Sequence, residues 1–392
     1  MSKVARLEEL VARPISQADI DAIPIANSSM SVDELRDICV RFMRLMNSFP
    51  WVPDTDFPYQ NKDKNVVLPR GGVVGGLPYI SLSQGSLYNF MHFYDPETGV
   101  VDVKKILSLK QPYMKVIANQ CSGCTYWGWA RVSNSLHYVY TTHMVEANGC
   151  IPIAPCKIPP EIYDFVAQQR DTRELCKENG EQVMYQSYAN ALPGDGVNMH
   201  NLKGGHVRMV SSKPVVVCNE DGTINGAASY VTLLEQKFKF DEKLQDNGYL
   251  IAVEGGVDKI FSFRNLFKDG YYPFTIPEFA GKPVDKAEAG SDCTAAAVTV
   301  SELEKTEIKA NYPISYLTVT VKDPAGAKLY EDHIYSCAHN VYAMPALSDE
   351  VLELSRIRAL ADGKNTVEIS ALVGSGENLV AYSGRLAEEA TA

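Results

Sequence analysis

The chain has 392 residues, 45% hydrophobic and 22% charged, with a formal net charge of −11. This is the balance of a globular protein with two or more domains and a core large enough to position a site. An acidic chain without a Lys/Arg cluster lacks the cationic surface that phosphate backbones and anionic membranes require, so nucleic acid is excluded as a partner.

Taken in chain order, residues 1–21 mix Lys, Arg, Glu and Asp and contain no apolar stretch of the kind a secretory signal needs. The expectation is a cytoplasmic protein, or an envelope protein whose leader lies outside this chain. No apolar run approaches the ~18 residues that span a bilayer, so no transmembrane segment is expected. Ser31-Val32-Asp33-Glu34 is a capping-box pattern. Leu35, Ile38, Cys39, Phe42, Leu45 and Met46 follow at helical spacing, which predicts a helix ending near Asn47. Residues 51–76 are rich in Pro, Gly, Asp and Lys and read as irregular loop. Residues 122–140 read as a helix with Trp129, Val132, Leu136 and Val139 on one face, and residues 163–179 as another.

After residue 205 the pattern turns β-type. Strands are predicted at His206-Val207-Arg208-Met209-Val210, at Val215-Val216-Val217 and over 230–234, with a turn at Asn219-Glu220-Asp221-Gly222. Asn247-Gly248 marks a further turn before a strand at 249–253. Residues 281–297 change to Lys, Asp, Glu, Gly, Ser and Ala and read as a linker. Alternation over 316–321 and 367–373, with turns at Asp323-Pro324-Ala325-Gly326 and 374–378, predicts a small β-sandwich.

The chemistry-bearing residues begin with Cys121. A thiol at a helix start sits in the positive end of the helix dipole, which favours the nucleophilic thiolate. Ser122 and Gly123 are small enough to let a substrate reach the backbone amides. Alone, Cys121 reads as a buried structural cysteine. The downstream Gly204-Gly205-His206 motif shifts the reading to a nucleophile with His206 as its base. Cys121 and Cys124 also form C-x-x-C, which leaves a redox pair open. Zinc would need a second such pair, and Cys150 and Cys156 have the wrong spacing. Nine cysteines are an odd number at low density, which points to free thiols. The base needs an acceptor on its second ring nitrogen. Glu235 or Gln236 can supply it from a neighbouring strand, Asn219 less readily, and Glu235 reads equally as a solvated charge. The other histidines, His92, His137, His143, His200, His333 and His339, read as structural.

Four motifs in order resemble the NlpC/P60 and CHAP branch of the papain-like cysteine peptidases and amidases. They are Gly76-Leu77-Pro78-Tyr79, Gln120-Cys121-Ser122-Gly123, Pro193-Gly194-Asp195 and Gly205-His206-Val207. Asp221-Gly222-Thr223-Ile224 and Glu235-Gln236 look like further elements of the CHAP branch. The resemblance spans roughly residues 75–236. It implies Cys121 as nucleophile, His206 as base and Tyr79 near the oxyanion, with Glu235 or Gln236 as the third residue and no cofactor or metal. It departs from the family at Gln120, which stands where the family has Asp, and in the forty or so residues between Tyr79 and Cys121. Cys124 aligns instead of Cys121 if the papain register C-G-S-C-W is used. The expected fold class is α+β. A helical extension over 1–60 and a papain-like catalytic domain over 61–281 precede an Ig-like β-sandwich over 294–388, expected to fold without the rest. The resemblance implies hydrolysis of amide bonds through a thioester, with peptidoglycan stem peptides as substrate. The alternative is a non-catalytic binding protein on the same scaffold.

Overall fold

The computed structural model describes residues 14–61, 64–80, 85–136, 141, 149–158, 171–201, 203–236, 256–337 and 341–389. The chain is mixed α and β with several sheets. After α1 (Gln17–Asp21), the capping box builds α2 (Val32–Ser48). Ser31 Oγ accepts from the Glu34 N–H at 3.3 Å, and the Glu34 carboxylate accepts from the Ser31 N–H at 2.7 Å. Leu35, Ile38, Cys39, Phe42 and Met46 are buried on one side of α2. Each large apolar side chain buried in this way stabilises the fold by about 1.5–3 kcal/mol.

Residues 51–76 differ from the expected loop. They carry β1 (Pro50–Pro53), the hairpin β2 (Phe57–Asn61) and β3 (Lys64–Leu68), and β4 (Val74–Gly75). Trp51, Phe57, Tyr59, Leu68 and Val74 are buried, and this apolar content outweighs the turn-forming residues around it. β1 pairs antiparallel with β4 and parallel with β5 (Val100–Val101).

Between and beyond these strands lie α3 (Leu87–Met91), α4 (Val103–Leu107), α5 (Tyr113–Ile117) and α6 (Cys121–Trp129). α6 is shorter than the predicted helix. Past it, the buried Arg131 guanidinium donates to the Ile23 and Pro24 carbonyls at 3.2 and 3.1 Å. Residues 137–140 lie outside the described residues, as do 163–170 of the second predicted helix, whose described part is α7 (Thr172–Asn179), followed by α8 (Glu181–Asn190).

One antiparallel six-stranded sheet carries the site, in the order β10-β9-β8-β7-β11-β6. Its strands are β6 (Ile151–Pro152), β7 (Gly196–Asn201), β8 (Gly204–Val210), β9 (Tyr230–Glu235), β10 (Gly256–Ser262) and β11 (Tyr272–Thr275), with α9 (Phe263–Asp269) between the last two. Residues 215–217 do not form the predicted strand. Only Val215 bridges to Tyr230, and all three valines are about two-fifths exposed. The turn predicted at Asn247-Gly248 and the strand predicted at 249–253 lie outside the described residues. α6 packs between α2 and β8. Gly128 makes this possible: a Cβ there would stand 3.0 Å from Met209 Cε and 3.4 Å from Met43 Cβ.

The remaining strands form a second unit with its own buried cluster, including Leu317, Val319, Val321, Val367, Ile369 and Ala371. Five strands order as β13-β19-β18-β15-β16: β13 (Ala297–Val298), β15 (Ile314–Lys322), β16 (Lys328–Tyr335), β18 (Thr366–Val373) and β19 (Asn378–Leu386). Three more, β12 (Ala289–Ser291), β14 (Glu307–Ala310) and β17 (Ala343–Pro345), make a sheet packed against them. β12 and the first residue of β13 therefore fall inside the expected linker, where small residues let the chain run along sheet edges.

This unit is docked on the first. Gln111 Nε2 donates to the Tyr335 carbonyl at 2.7 Å and Gln111 Oε1 accepts from the Tyr335 N–H at 2.9 Å. Ser315 Oγ donates to Asn89 Oδ1 at 2.8 Å, and Tyr126 of α6 meets the Tyr342 hydroxyl at 3.1 Å. No helix among the described residues is long and apolar enough to cross a membrane.

Candidate active site

Cys121 is the first residue of α6, and its N-cap Gln120 makes no side-chain cap. The first-turn N–H groups therefore point out of the helix without that partner. Cys121 is only 5% exposed. Its sulfur lies beside the His206 ring and the Val207 and Ser122 backbones. Burial alone would push this thiol up, but the adjacent His206 outweighs it and holds Cys121 below the ordinary thiol value. The reciprocal effect holds for His206. Burial pulls the imidazole down, while the Cys121 sulfur and the Glu235 carboxylate outweigh that and raise it. Each partner favours the charged form of the other.

Glu235 supplies the other contact. His206 Nε2 lies 2.8 Å from Glu235 Oε2, which leaves Nδ1 as the ring nitrogen for the thiol. The register Met209↔Leu234 puts Arg208 opposite Glu235, so the strand alternation sends His206, Arg208 and Glu235 to one face. Arg208 Nε donates to Glu235 Oε2 at 2.6 Å, and Lys259 Nζ to Oε1 at 3.1 Å. Glu235 is fully buried, not a solvated charge. Burial would raise its carboxyl, yet the His206 bond and the Arg208 charge hold it well below the usual carboxylate range. The Arg208 guanidinium is itself fixed between the Phe261 and Tyr271 rings, 4.1 and 4.3 Å from their centroids. A register shift between Gly256 and Lys259, with Asp258 at φ 54°, swings Lys259 onto the carboxylate.

Gln236 does not reach His206. It points the other way along the strand, and its Nε2 donates to the Leu77 carbonyl at 2.9 Å. Gln236 is therefore corrected from orienting residue to a tether of the Gly76-Leu77-Pro78-Tyr79 segment. That segment runs beside the site helix despite the long sequence gap. Tyr79 bridges Asn119, two residues before Cys121, and the Asn119 N–H donates to the Pro78 carbonyl at 2.8 Å. Gly76 is required at the bend, with φ +70° and a would-be Cβ 2.9 Å from the Asn47 backbone.

Cys124 is fully buried and faces α2, with its sulfur 3.7 Å from Asn47 Oδ1. Burial pushes its thiol up, and the Cys121 sulfur adds to the shift. It has no bond to His206 among those described. Pro193-Gly194-Asp195 is an anchor: the buried Asp195 carboxylate binds Arg36 at 2.8 Å and the Leu192 N–H at 2.7 Å. Asp221 caps its own turn through the Thr223 N–H at 3.0 Å, and Asn219 pairs with Thr223 at 3.0 Å, both away from His206. His92 and His333 stack with ring centroids 4.2 Å apart at the junction of the two units; His137, His143 and His339 lie outside the described residues. Among the described residues no group of three or more His, Cys, Asp or Glu side chains is placed to hold a metal ion.

Sequence reasoning missed Arg208 and Lys259. Arg208 was within reach, since it sits two residues after His206 and must share its face. Lys259 was not, because its approach depends on the bulge. Comparison with family models, curated proteins and solved structures gives no match to this chain.

Proposed function

We propose that the protein is a cysteine hydrolase of papain-like type that cleaves amide bonds, with peptidoglycan stem peptides as substrate class and an Ig-like C-terminal module as accessory. The observation that carries this reading is the line Cys121–His206–Glu235, with the thiol lowered and the imidazole raised by one another. The thiolate attacks the scissile carbonyl, forming a carbon–sulfur bond. The backbone N–H groups of the first turn of α6 stabilise the oxyanion. The His206 imidazolium then gives its proton to the leaving amine, and water, activated by the neutral imidazole, hydrolyses the thioester. Glu235 holds the ring in the required orientation. Arg208 and Lys259 neutralise part of its charge, so it acts as a positioned acceptor and does not take the proton.

The test is to incubate purified bacterial sacculi with wild type and with Cys121→Ala and identify released fragments by mass. Stem-peptide fragments from wild type alone support the reading. No release by wild type on any sacculus, with cleavage of no synthetic stem peptide, overturns it.

A further inference from the structure

Cys124 is the element of this site that hydrolysis leaves unused. It lies one helical turn after Cys121, so the two side chains lie on neighbouring positions of the same helix surface. The pair differs in every property that matters for redox chemistry. Cys121 is the lowered thiol, touches His206 and retains some exposure, whereas Cys124 is fully buried in its neutral form against Asn47. A reactive first cysteine backed by a buried, protonated second one is the arrangement that lets an oxidised sulfur be resolved from within.

We infer that Cys121 and Cys124 form a reversible peroxide-sensing pair, in which oxidation of Cys121 by a hydroperoxide is captured by Cys124 as an intrahelical disulfide. In the first step the Cys121 thiolate attacks one peroxide oxygen. A sulfur–oxygen bond forms, the oxygen–oxygen bond breaks, and the leaving hydroxide takes the His206 proton to become water. Sulfur is oxidised by two electrons and the peroxide is reduced by two. In the second step the Cys124 sulfur attacks the Cys121 sulfur. The disulfide forms, and hydroxide leaves with the Cys124 proton as water. The product has no thiolate, so the site is switched off, and a thiol reductant switches it on again. Capture also keeps Cys121 from the irreversible sulfinic and sulfonic acids. The inference needs only the activated Cys121, not hydrolysis of any particular bond.

The test reads mass, without a substrate. Cys121 and Cys124 are the only two cysteines in the tryptic peptide 116–131. The intact protein is treated with hydrogen peroxide, its remaining thiols are blocked with iodoacetamide, and it is then digested. The expected result is that this peptide is unalkylated and lighter by two hydrogen atoms, with loss of Cys121 alkylation that dithiothreitol reverses. In Cys124→Ser and Cys124→Ala, checked for folding by circular dichroism, Cys121 should instead gain two or three oxygens and fail to recover. Over-oxidation of Cys121 in wild type, or its pairing with any other cysteine, overturns the inference. Should both variants unfold, the wild-type peptide mass alone still decides. The hydrolase reading fails separately, on the sacculus assay.

Discussion

At the residue scale, the site depends on one buried carboxylate shared by three donors. Removing its charge while keeping its shape, as in Glu235→Gln, leaves Arg208 and Lys259 without their counter-charge and removes one of the two partners that raise His206, the other being the Cys121 sulfur. The expected loss in kcat/KM is about 10²–10⁴-fold, the range for a disabled general acid–base. The basic limb of the pH profile should move to lower pH. Arg208→Met should move that limb the other way, because the guanidinium charge opposes protonation of His206. It also breaks a buried ion pair, at a cost of about 3–5 kcal/mol in denaturant unfolding. The signs for stability follow from the shifts. Glu235 is lowered, so its contribution is present above its unfolded value of about 4.3 and is lost as pH falls. His206 is raised, so its contribution is present below about 6.5 and is lost as pH rises through its folded value. An equilibrium unfolding series against pH in Glu235→Gln should show the acid-side loss flattened.

At the element scale, the site requires α6 to press on β8. Gly128→Val puts a branched side chain where even a Cβ meets Met209 and Met43. Overpacking of this kind costs typically 1–3 kcal/mol, so about that loss is expected from urea unfolding. An unchanged midpoint would mean the helix can move away freely. Ser31→Ala, which removes the α2 cap, should cost about 1 kcal/mol. This cap and helix were legible from Ser31 and Glu34 because capping is local chemistry. The strands at 316–321 and 367–373 were legible because period-2 alternation needs no knowledge of the rest of the chain. Residues 51–76 misled, since their Pro and Gly content spoke louder than Trp51, Phe57 and Tyr59, whose burial depends on distant neighbours. Cys121 and His206 were legible as motifs. The choice of Glu235 over Gln236 was not, because it rests on which face of β9 meets β8.

At the scale of the whole molecule, the two units share side chains that neither satisfies alone. Truncation after Lys282 would strip partners from Asn89, Gln111 and Tyr126, the last on the helix that carries Cys121. Each hydrogen bond lost in this way removes about 0.5–1.5 kcal/mol. The truncated chain should therefore melt several degrees below the intact one by thermal circular dichroism. An unchanged melting temperature would show that the docking contributes nothing to the first unit.

The proposed chemistry rests on His206 lowering the Cys121 thiol. The most direct measurement is the rate of iodoacetamide alkylation at Cys121 as a function of pH, read from the mass of peptide 116–131, in wild type and in His206→Ala. Wild type should alkylate well below the ordinary thiol value of about 8.5, and His206→Ala should lose that low-pH reactivity. One common ionisation near the ordinary value in both proteins would contradict the account.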